Sequence, residues 1–201
     1  ARRFNSDGDT LGPDFRVDQD TGSAYALDPS VATDLSNNFI VSWGDNRNGN
    51  YDIYARRYDA SGIPIGNDFR VDQDTGTASA AYASIATDQN NNFMIAWHDN
   101  RKGDYDIYVR RFDSSGDPIG NDFRVDGGTA NSQSPDIAAD MDNRFIVAWE
   151  DYRNGNPDVY AAIPSQQDTD CDGMSDAAET ATGCMDPINP DTDYDGLCDV
   201  D

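Results

Sequence analysis

Aligned with itself, the chain repeats. Arg2-Arg3-Phe4, Arg56-Arg57-Tyr58 and Arg110-Arg111-Phe112 stand 54 residues apart, and Phe15-Arg16-Val17-Asp18 returns at Phe69 and Phe123 with the same spacing. A repeat of this length means that one supersecondary unit is built several times and that neighbouring units bury one another. The copies start near residues 1, 55 and 109. Trp43, Trp97 and Trp149 recur at 54 and then 52, so the third copy is two residues shorter between Asp126 and Phe145, as a loop deletion would make it.

Each copy holds four short β-type runs separated by Asn, Asp, Gly and Ser clusters. In the second copy these are Ser84-Ile85-Ala86-Thr87, then Phe93-Met94-Ile95-Ala96-Trp97, then 105–112, then Phe123-Arg124-Val125. The second run is apolar throughout, as in a strand buried on both faces, whereas the third alternates charge with apolar groups, as in a half-exposed outer strand. Asp59-Ala60-Ser61-Gly62 and Asp113-Ser114-Ser115-Gly116 suit hairpins with Gly in the left-handed position. Four antiparallel strands per copy, stacked face to face, predict an all-β fold of β-propeller-type blades, three repeats that belong to a larger ring or assembly. The first 160 residues show no sustained 3.6-residue apolar period, which excludes a helical solenoid. A β-sandwich fits less well, since its strands need not repeat so faithfully.

The turn after the second run reads W-x-D-x-R-x-G-x-x-D-[IV]-Y: Trp43, Asp45, Arg47, Gly49 and Asp52, then Asp99, Arg101, Gly103 and Asp106, then Asp151, Arg153, Gly155 and Asp158. A carboxylate bonding turn amides, a guanidinium clamping the neighbouring acid and a Gly with positive φ make this a structural device. Its presence in every copy argues against a catalytic site, which is usually a singular constellation. With R-[FY]-D-x-x-G and F-x-V behind it, the motif resembles a group of bacterial secreted and surface proteins with tandem propeller-like repeats. The resemblance covers residues 1–162 and implies a blade fold and extracellular life rather than a ligand.

Residues 1–163 are thus expected to form the blades, 164–167 a linker and 168–201 a separate segment. All but two of the 38 acidic residues are Asp, against 14 Lys plus Arg, giving a formal charge of -24. Such a charge disfavours nucleic acid and anionic membrane as partners, and no apolar stretch approaches the roughly 20 residues that span a bilayer. The short Asp side chain suits turns and calcium loops. Asp168-Thr169-Asp170-Cys171-Asp172-Gly173-Met174-Ser175-Asp176-Ala177-Ala178-Glu179 fits D-x-D-x-D-G-x5-E without a departure. Asp168, Asp170, Asp172, Asp176 and Glu179 are the expected side-chain ligands of Ca2+, and Met174 the expected carbonyl ligand. A second set begins at Asp191, Asp193 and Asp195, with the Leu197 carbonyl and Asp199; its twelfth position would be residue 202. With the linking residues 186–191, residues 168–201 resemble bacterial thrombospondin type 3 repeats, which implies a rigid, calcium-loaded spacer outside cells. All three cysteines, Cys171, Cys184 and Cys198, lie here. A Cys171–Cys184 disulfide would close a loop of about 15 residues and contribute about 3 kcal/mol in an oxidising compartment; the spacing leaves the pairing open.

Propeller glycosidases work with paired carboxylates. Here His98 stands where the other copies have Gly44 and Glu150, and no G-x-S-x-G, H-E-x-x-H or Gly-rich phosphate loop occurs. The sequence therefore predicts a non-enzymatic, extracellular calcium-binding scaffold with no catalytic residues, self-associating or joined to further blades of a longer chain, with a fibre or surface array as one form. A carbohydrate-binding propeller, or an accessory region of a secreted glycoside hydrolase, is the alternative. Open ring faces on the three Trp residues would favour it and buried ones would weaken it.

Overall fold

The computed structural model describes residues 1–164. Among them, eleven strands form three antiparallel sheets. Blade 1 holds β1 (Ala26–Thr33), β2 (Phe39–Asp45), β3 (Asp52–Tyr58) and β4 (Pro64–Arg70). Blade 2 holds β5 (Ala80–Thr87), β6 (Phe93–Asp99), β7 (Asp106–Phe112) and β8 (Pro118–Arg124). Blade 3 holds β9 (Ser132–Ala139), β10 (Phe145–Asp151) and β11 (Asp158–Ala162). Strands pair in chain order within each sheet. The fold is all-β and propeller-type, as the repeat predicts, and the described part of blade 3 has three strands where a four-stranded blade was expected. The fourth strand is longer than the Phe-x-Val signal suggests, beginning at Pro64 and Pro118.

Local chemistry explains the meander. After β1 the chain reverses at Asp34, whose Oδ1 accepts from the amides of Ser36 and Asn38 at 2.8 and 2.9 Å, while Asn37 adopts a φ of 62°. Asp88 and Asp140 repeat this after β5 and β9. A short carboxylate that replaces two backbone acceptors is what makes Asp a turn residue. The same device holds the β3–β4 turn, where the amides of Ser61 and Ile63 donate to Asp59.

The sheets stack through apolar clusters. Ile40, Ile53 and Ala55 of blade 1 meet Ala80, Ile85, Phe93 and Trp97 of blade 2. Met94, Ala96, Ile107 and Val109 of blade 2 meet Ile137, Val147 and Trp149 of blade 3. Contact between blades runs mainly through the first strands, β1 on β5 and β5 on β9, which puts these innermost. Residues 1–18 add a partial layer before blade 1: Phe4 bridges Thr10, and Phe15 and Val17 pack on Val41, Trp43, Tyr54 and Tyr58.

The third strand corrects an expectation. β3 and β7 are interior, mostly buried strands rather than half-exposed outer ones. Their arginines satisfy themselves on neighbouring backbone: Arg56 donates to the Val17 carbonyl at 3.0 Å, Arg110 to that of Val71 at 2.8 Å, and Arg57 reaches across to the Ser114 and Ser115 carbonyls of the next blade's hairpin turn. Arg3 does the same to Ala60 and Ser61. Alternation of charge here marks clamps between blades, not solvent.

This clamp yields a test. Gly116 has a φ of 88°, and a Cβ there would collide with the Arg57 guanidinium, whereas Gly103, at 108°, has open space around it. Gly116→Ala is expected to cost about 1–3 kcal/mol in urea unfolding, more than Gly103→Ala, because it adds loss of the clamp to backbone strain. In an Arg57→Ala background that excess should vanish; an unchanged excess would show that the clamp is not its source.

Candidate functional site

The repeated W-x-D-x-R turn is built around a buried carboxylate. The amide of Arg47 donates to Asp45 Oδ1 at 2.9 Å, its guanidinium to Oδ2 at 2.6 Å, and the Trp43 indole to Oδ2 at 3.2 Å. Arg47 also lies 4.0 Å over the Tyr54 ring and donates to Asp68 on β4 at 3.0 Å, tying the second strand to the fourth. Blade 2 repeats this with Asp99, Arg101, Tyr108 and Asp122, and blade 3 with Asp151, Arg153 and Tyr160. Burial alone would raise Asp45, but the bonds from Arg47 and Trp43 hold it below the usual carboxylate range. The Arg153 hydrogen bond holds Asp151 well below that range. In each blade the buried carboxylate is satisfied by an amide and a guanidinium of the same turn, which suits a structural device. Trp43, Trp97 and Trp149 are buried, so they offer no platform to a sugar.

A different place carries the asymmetry of a site. Each innermost strand is broken by a bulge in which two residues oppose the Trp of the second strand, with register shifts between Leu27 and Ser30, between Ala81 and Ser84, and between Gln133 and Asp136. The first bulge residue is left-handed every time, at φ of 50° for Asp28, 55° for Tyr82 and 52° for Ser134. None is Gly, all three are exposed, and the residue type changes from blade to blade. A non-Gly residue in this conformation is uncommon and, for a bulky Tyr, an outlier that the surroundings must enforce.

At the seam between blades 2 and 3 this position meets another variable position of the repeat, 44/98/150. The Tyr82 ring centre lies 5.0 Å from that of His98, and His98 lies 4.6 Å from Tyr105. His98 is buried rather than on a variable surface, and its Nδ1 accepts the Ser134 amide at 3.3 Å. Burial lowers its pKa to about 4, which keeps the ring neutral and suits Nδ1 as an acceptor. Beside it, Ser84 donates to Asp136 at 2.9 Å. The seam thus offers an exposed aromatic edge, hydroxyls and a carboxylate on inner strands. Sequence reasoning missed it by looking for what repeats; the signal was among the positions where the copies disagree, 28/82/134 and 44/98/150 being two of them.

Blade 2 also departs at its turn. In blade 1 the Asn48 amide bridges Asp52 and the Tyr54 hydroxyl at 2.9 and 2.8 Å, and Asn154 bridges Asp158 and Tyr160 in blade 3. Lys102 replaces that Asn in blade 2, and Asp106 Oδ2 and the Tyr108 hydroxyl are buried without a partner. Burial, with Asp126, Asp104 and Asp99 adding to it against Arg124, pushes Asp106 up to about 6.

Among the described residues no group of three or more His, Cys, Asp or Glu is placed to hold a metal ion. The expected calcium ligands Asp168, Asp170, Asp172, Met174, Asp176 and Glu179, the second set Asp191, Asp193, Asp195, Leu197 and Asp199, and all three cysteines lie outside the described residues. Among the described residues no helix is long and apolar enough to cross a membrane.

No protein-family model matches the chain, and no curated protein matches its sequence. Solved structures do resemble it. A protein of unknown function from Dyadobacter fermentans is 10% identical at a TM-score of 0.52, over 74% of this chain and 54% of that one. An endo-arabinase from Bacteroides thetaiotaomicron is 12% identical at 0.48, over 69% and 55%. A fucose lectin from Kordia zhangzhouensis, in complex with methyl-fucoside, is 15% identical at 0.43, over 69% and 94%. The chain spans about half the length of the first two. At such identities the likeness concerns the fold. The expectation of a non-enzymatic chain is corrected here: the solved structures that resemble it include an endo-arabinase and other glycoside hydrolases, at 9–13% identity.

The orphaned pair in blade 2 fixes a pH test. A carboxyl whose folded pKa lies above its unfolded value of about 3.9 favours folding in acid, a contribution present in full below about 3.9 and lost as pH rises through about 6. His98 has the opposite sign, since its lowered pKa makes stability fall as pH drops from about 6.5 through about 4. Lys102→Asn restores the missing donor and should raise stability at pH 7 by about 1–2 kcal/mol, with a smaller gain at pH 4, where Asp106 is protonated. Thermal melts at both pH values check this, and an equal gain at both would sever the link to Asp106.

Proposed function

We propose that this chain is an extracellular, carbohydrate-binding propeller-type module whose ligand meets the inner strands at the seam between blades 2 and 3, and whose Asp-rich segment binds calcium. The observation that carries the first half is Tyr82: an aromatic ring 51% exposed, held in a left-handed bulge beside His98 and Tyr105. A sugar presents an apolar C–H face that suits an aromatic ring and hydroxyls that suit Ser and Asp, and Tyr combines low side-chain entropy with a polar tip. The bland account of the same bulge is accommodation of Trp97. The two accounts part at Tyr82→Gly, which removes the ring but suits the backbone.

Glycan arrays and soluble polysaccharides should therefore bind the wild-type chain, and Tyr82→Gly should lose roughly tenfold or more in affinity, about 1.4 kcal/mol, with no loss of thermal stability. Lower stability with binding intact would assign the bulge to packing. The same incubations, read for released sugar, test turnover.

The second half rests on the D-x-D-x-D-G-x5-E match at 168–179, where five carboxylates, of Asp168, Asp170, Asp172, Asp176 and Glu179, fall within twelve consecutive residues. Neutralisation by a divalent cation offsets repulsion that would otherwise keep such a loop open. Calcium at roughly 10⁻⁴ to 10⁻³ M, the range of extracellular modules, should protect residues 168–182 from protease, and Glu179→Gln should remove the protection. Cleavage that does not respond to calcium in that range would contradict the assignment.

A further inference from the structure

Blade 2 departs from its neighbours at two positions of one turn, and both changes bear on the same carboxylate. The turn carries Asn48 and Asn50 in blade 1 and Asn154 and Asn156 in blade 3, but Lys102 and Asp104 in blade 2. Asn48 Nδ2 donates to Asp52 Oδ2 at 2.9 Å and to the Tyr54 hydroxyl at 2.8 Å, so one nitrogen sits between two oxygens of β3. Asn154 holds Asp158 and Tyr160 in the same way, at 2.9 and 3.2 Å. Asn50 adds a second donor, to Asp52 Oδ1 at 3.0 Å. Neither side-chain donor survives in blade 2.

The substitutions leave two orphaned oxygens. Asp106 is 2% exposed and Tyr108 5% exposed, and neither Asp106 Oδ2 nor the Tyr108 hydroxyl has a hydrogen-bond partner. The third strands of blades 1 and 2 pair with their second strands in the same register, so both oxygens face the point that the Asn nitrogen takes in the other blades. Buried acceptors left without a donor carry their full desolvation penalty. Lys102 does not replace the amide: it is exposed, and the cation paired with Asp106 is Arg124, at 2.9 Å on Oδ1.

Charge and access change together. Arg70 serves Asp52 and Asp72 in blade 1, as Arg124 serves Asp106 and Asp126 in blade 2. Asp104 sets a third carboxylate beside the second pair, which leaves two negative charges in surplus. The facing loop is shorter by two residues, 127–131 standing where 73–79 stand, since the Ser132 and Ala80 amides bond alike to the Tyr105 and Tyr51 carbonyls. In blade 1 that loop offers its Ala78 carbonyl to Asn50 at 2.7 Å; in blade 2 its Asn131 takes the Tyr105 amide at 2.9 Å. Asp104 is exposed where Asn50 is half-buried.

We propose that this place in blade 2 binds a divalent cation of the calcium class, ligated by Asp106 Oδ2, the Tyr108 hydroxyl and the Asp104 carboxylate, with water completing the shell. The ion does for blade 2 what an amide nitrogen does for blades 1 and 3, and it carries the two charges that the surplus requires. Oxygen ligands of which two are anionic suit calcium, whose bonds of about 2.3–2.6 Å lie a small contraction away from the amide spacing. The site is separate from the loop at 168–179 and does not depend on it. A water molecule donating to both oxygens is the rival occupant, and it leaves the charge of Asp104 unanswered.

Urea unfolding of the 201-residue chain carrying Glu179→Gln, which removes a ligand of the tail loop, separates the two. Its folding constant should be roughly tenfold higher in about 10 mM calcium than in chelator, for a dissociation constant of about 10⁻³ M. Adding Lys102→Asn, which restores the nitrogen that blades 1 and 3 carry, should cut that response to less than about twofold. Asp104→Asn, at an exposed position filled by Asn in the other blades, should weaken calcium affinity roughly tenfold by removing one anionic ligand. With Glu179 in place, neither substitution should alter calcium protection of residues 168–182, so a failure of this site and a failure of the tail loop are read separately. No response to calcium in the Glu179→Gln chain would leave water as the occupant and overturn the site. A response of equal size with Lys102→Asn would put the ion elsewhere and overturn it as well.

Discussion

The buried carboxylate at the end of each second strand is the interaction on which the blades depend. Asp45, Asp99 and Asp151 sit where a charge without a partner costs several kcal/mol, and each is neutralised from two residues along the chain by an Arg that also supplies a backbone amide. In blades 1 and 2 that Arg goes on to Asp68 and Asp122 of the outermost strand. The same carboxylates then accept the amides of Gln19 and Gln73 from the preceding layer, whose side-chain oxygens take the Asp68 and Asp122 amides in return. One line of charge-assisted bonds therefore fixes the turn, crosses the blade and reaches the neighbour. Replacing the Arg by an apolar group would leave the buried carboxylate of its turn unsatisfied.

Apolar stacking supplies the rest and accounts for the difference between the middle and the ends. β6 is buried at every position because blade 2 has neighbours on both faces, while the closely similar β10 alternates buried with open positions. Sequence identity at these positions is nearly constant; what changes is the presence of another blade. The scaffold is thus regular where it packs and irregular where it faces the axis, at the left-handed residues Asp28, Tyr82 and Ser134.

Much of the fold was legible in the sequence because a repeat forces near-equivalent environments. The 54-residue spacing gave the blades, the apolar run ending in Trp97 gave the doubly buried strand, and Asp113 with Gly116 gave the hairpin. The third strand was misread because Arg56, Arg57 and Arg110 look like solvent residues until the carbonyls they reach in the neighbouring layer are in place. The candidate site was illegible for the opposite reason. Nothing in Ala-Ala-Tyr-Ala-Ser at 80–84 signals a bulge, since the register shift arises from pairing with β6, and only comparison of the copies singles out Tyr82 and His98. The calcium ligands remain a reading of the sequence, resting on residues 168–199.

If the Asp–Arg turn carries the blade, Asp99 and Arg101 must be strongly coupled in stability and silent in ligand recognition. The most direct measurement is a double-mutant cycle by chemical denaturation. Arg101→Ala alone should cost about 3–5 kcal/mol by leaving Asp99 buried and unpaired, and the double substitution with Asp99→Ala should cost at least about 1 kcal/mol less than the sum of the single ones. Additive or negligible losses, or variants of unchanged stability that no longer bind a ligand of the wild-type chain, would contradict the account.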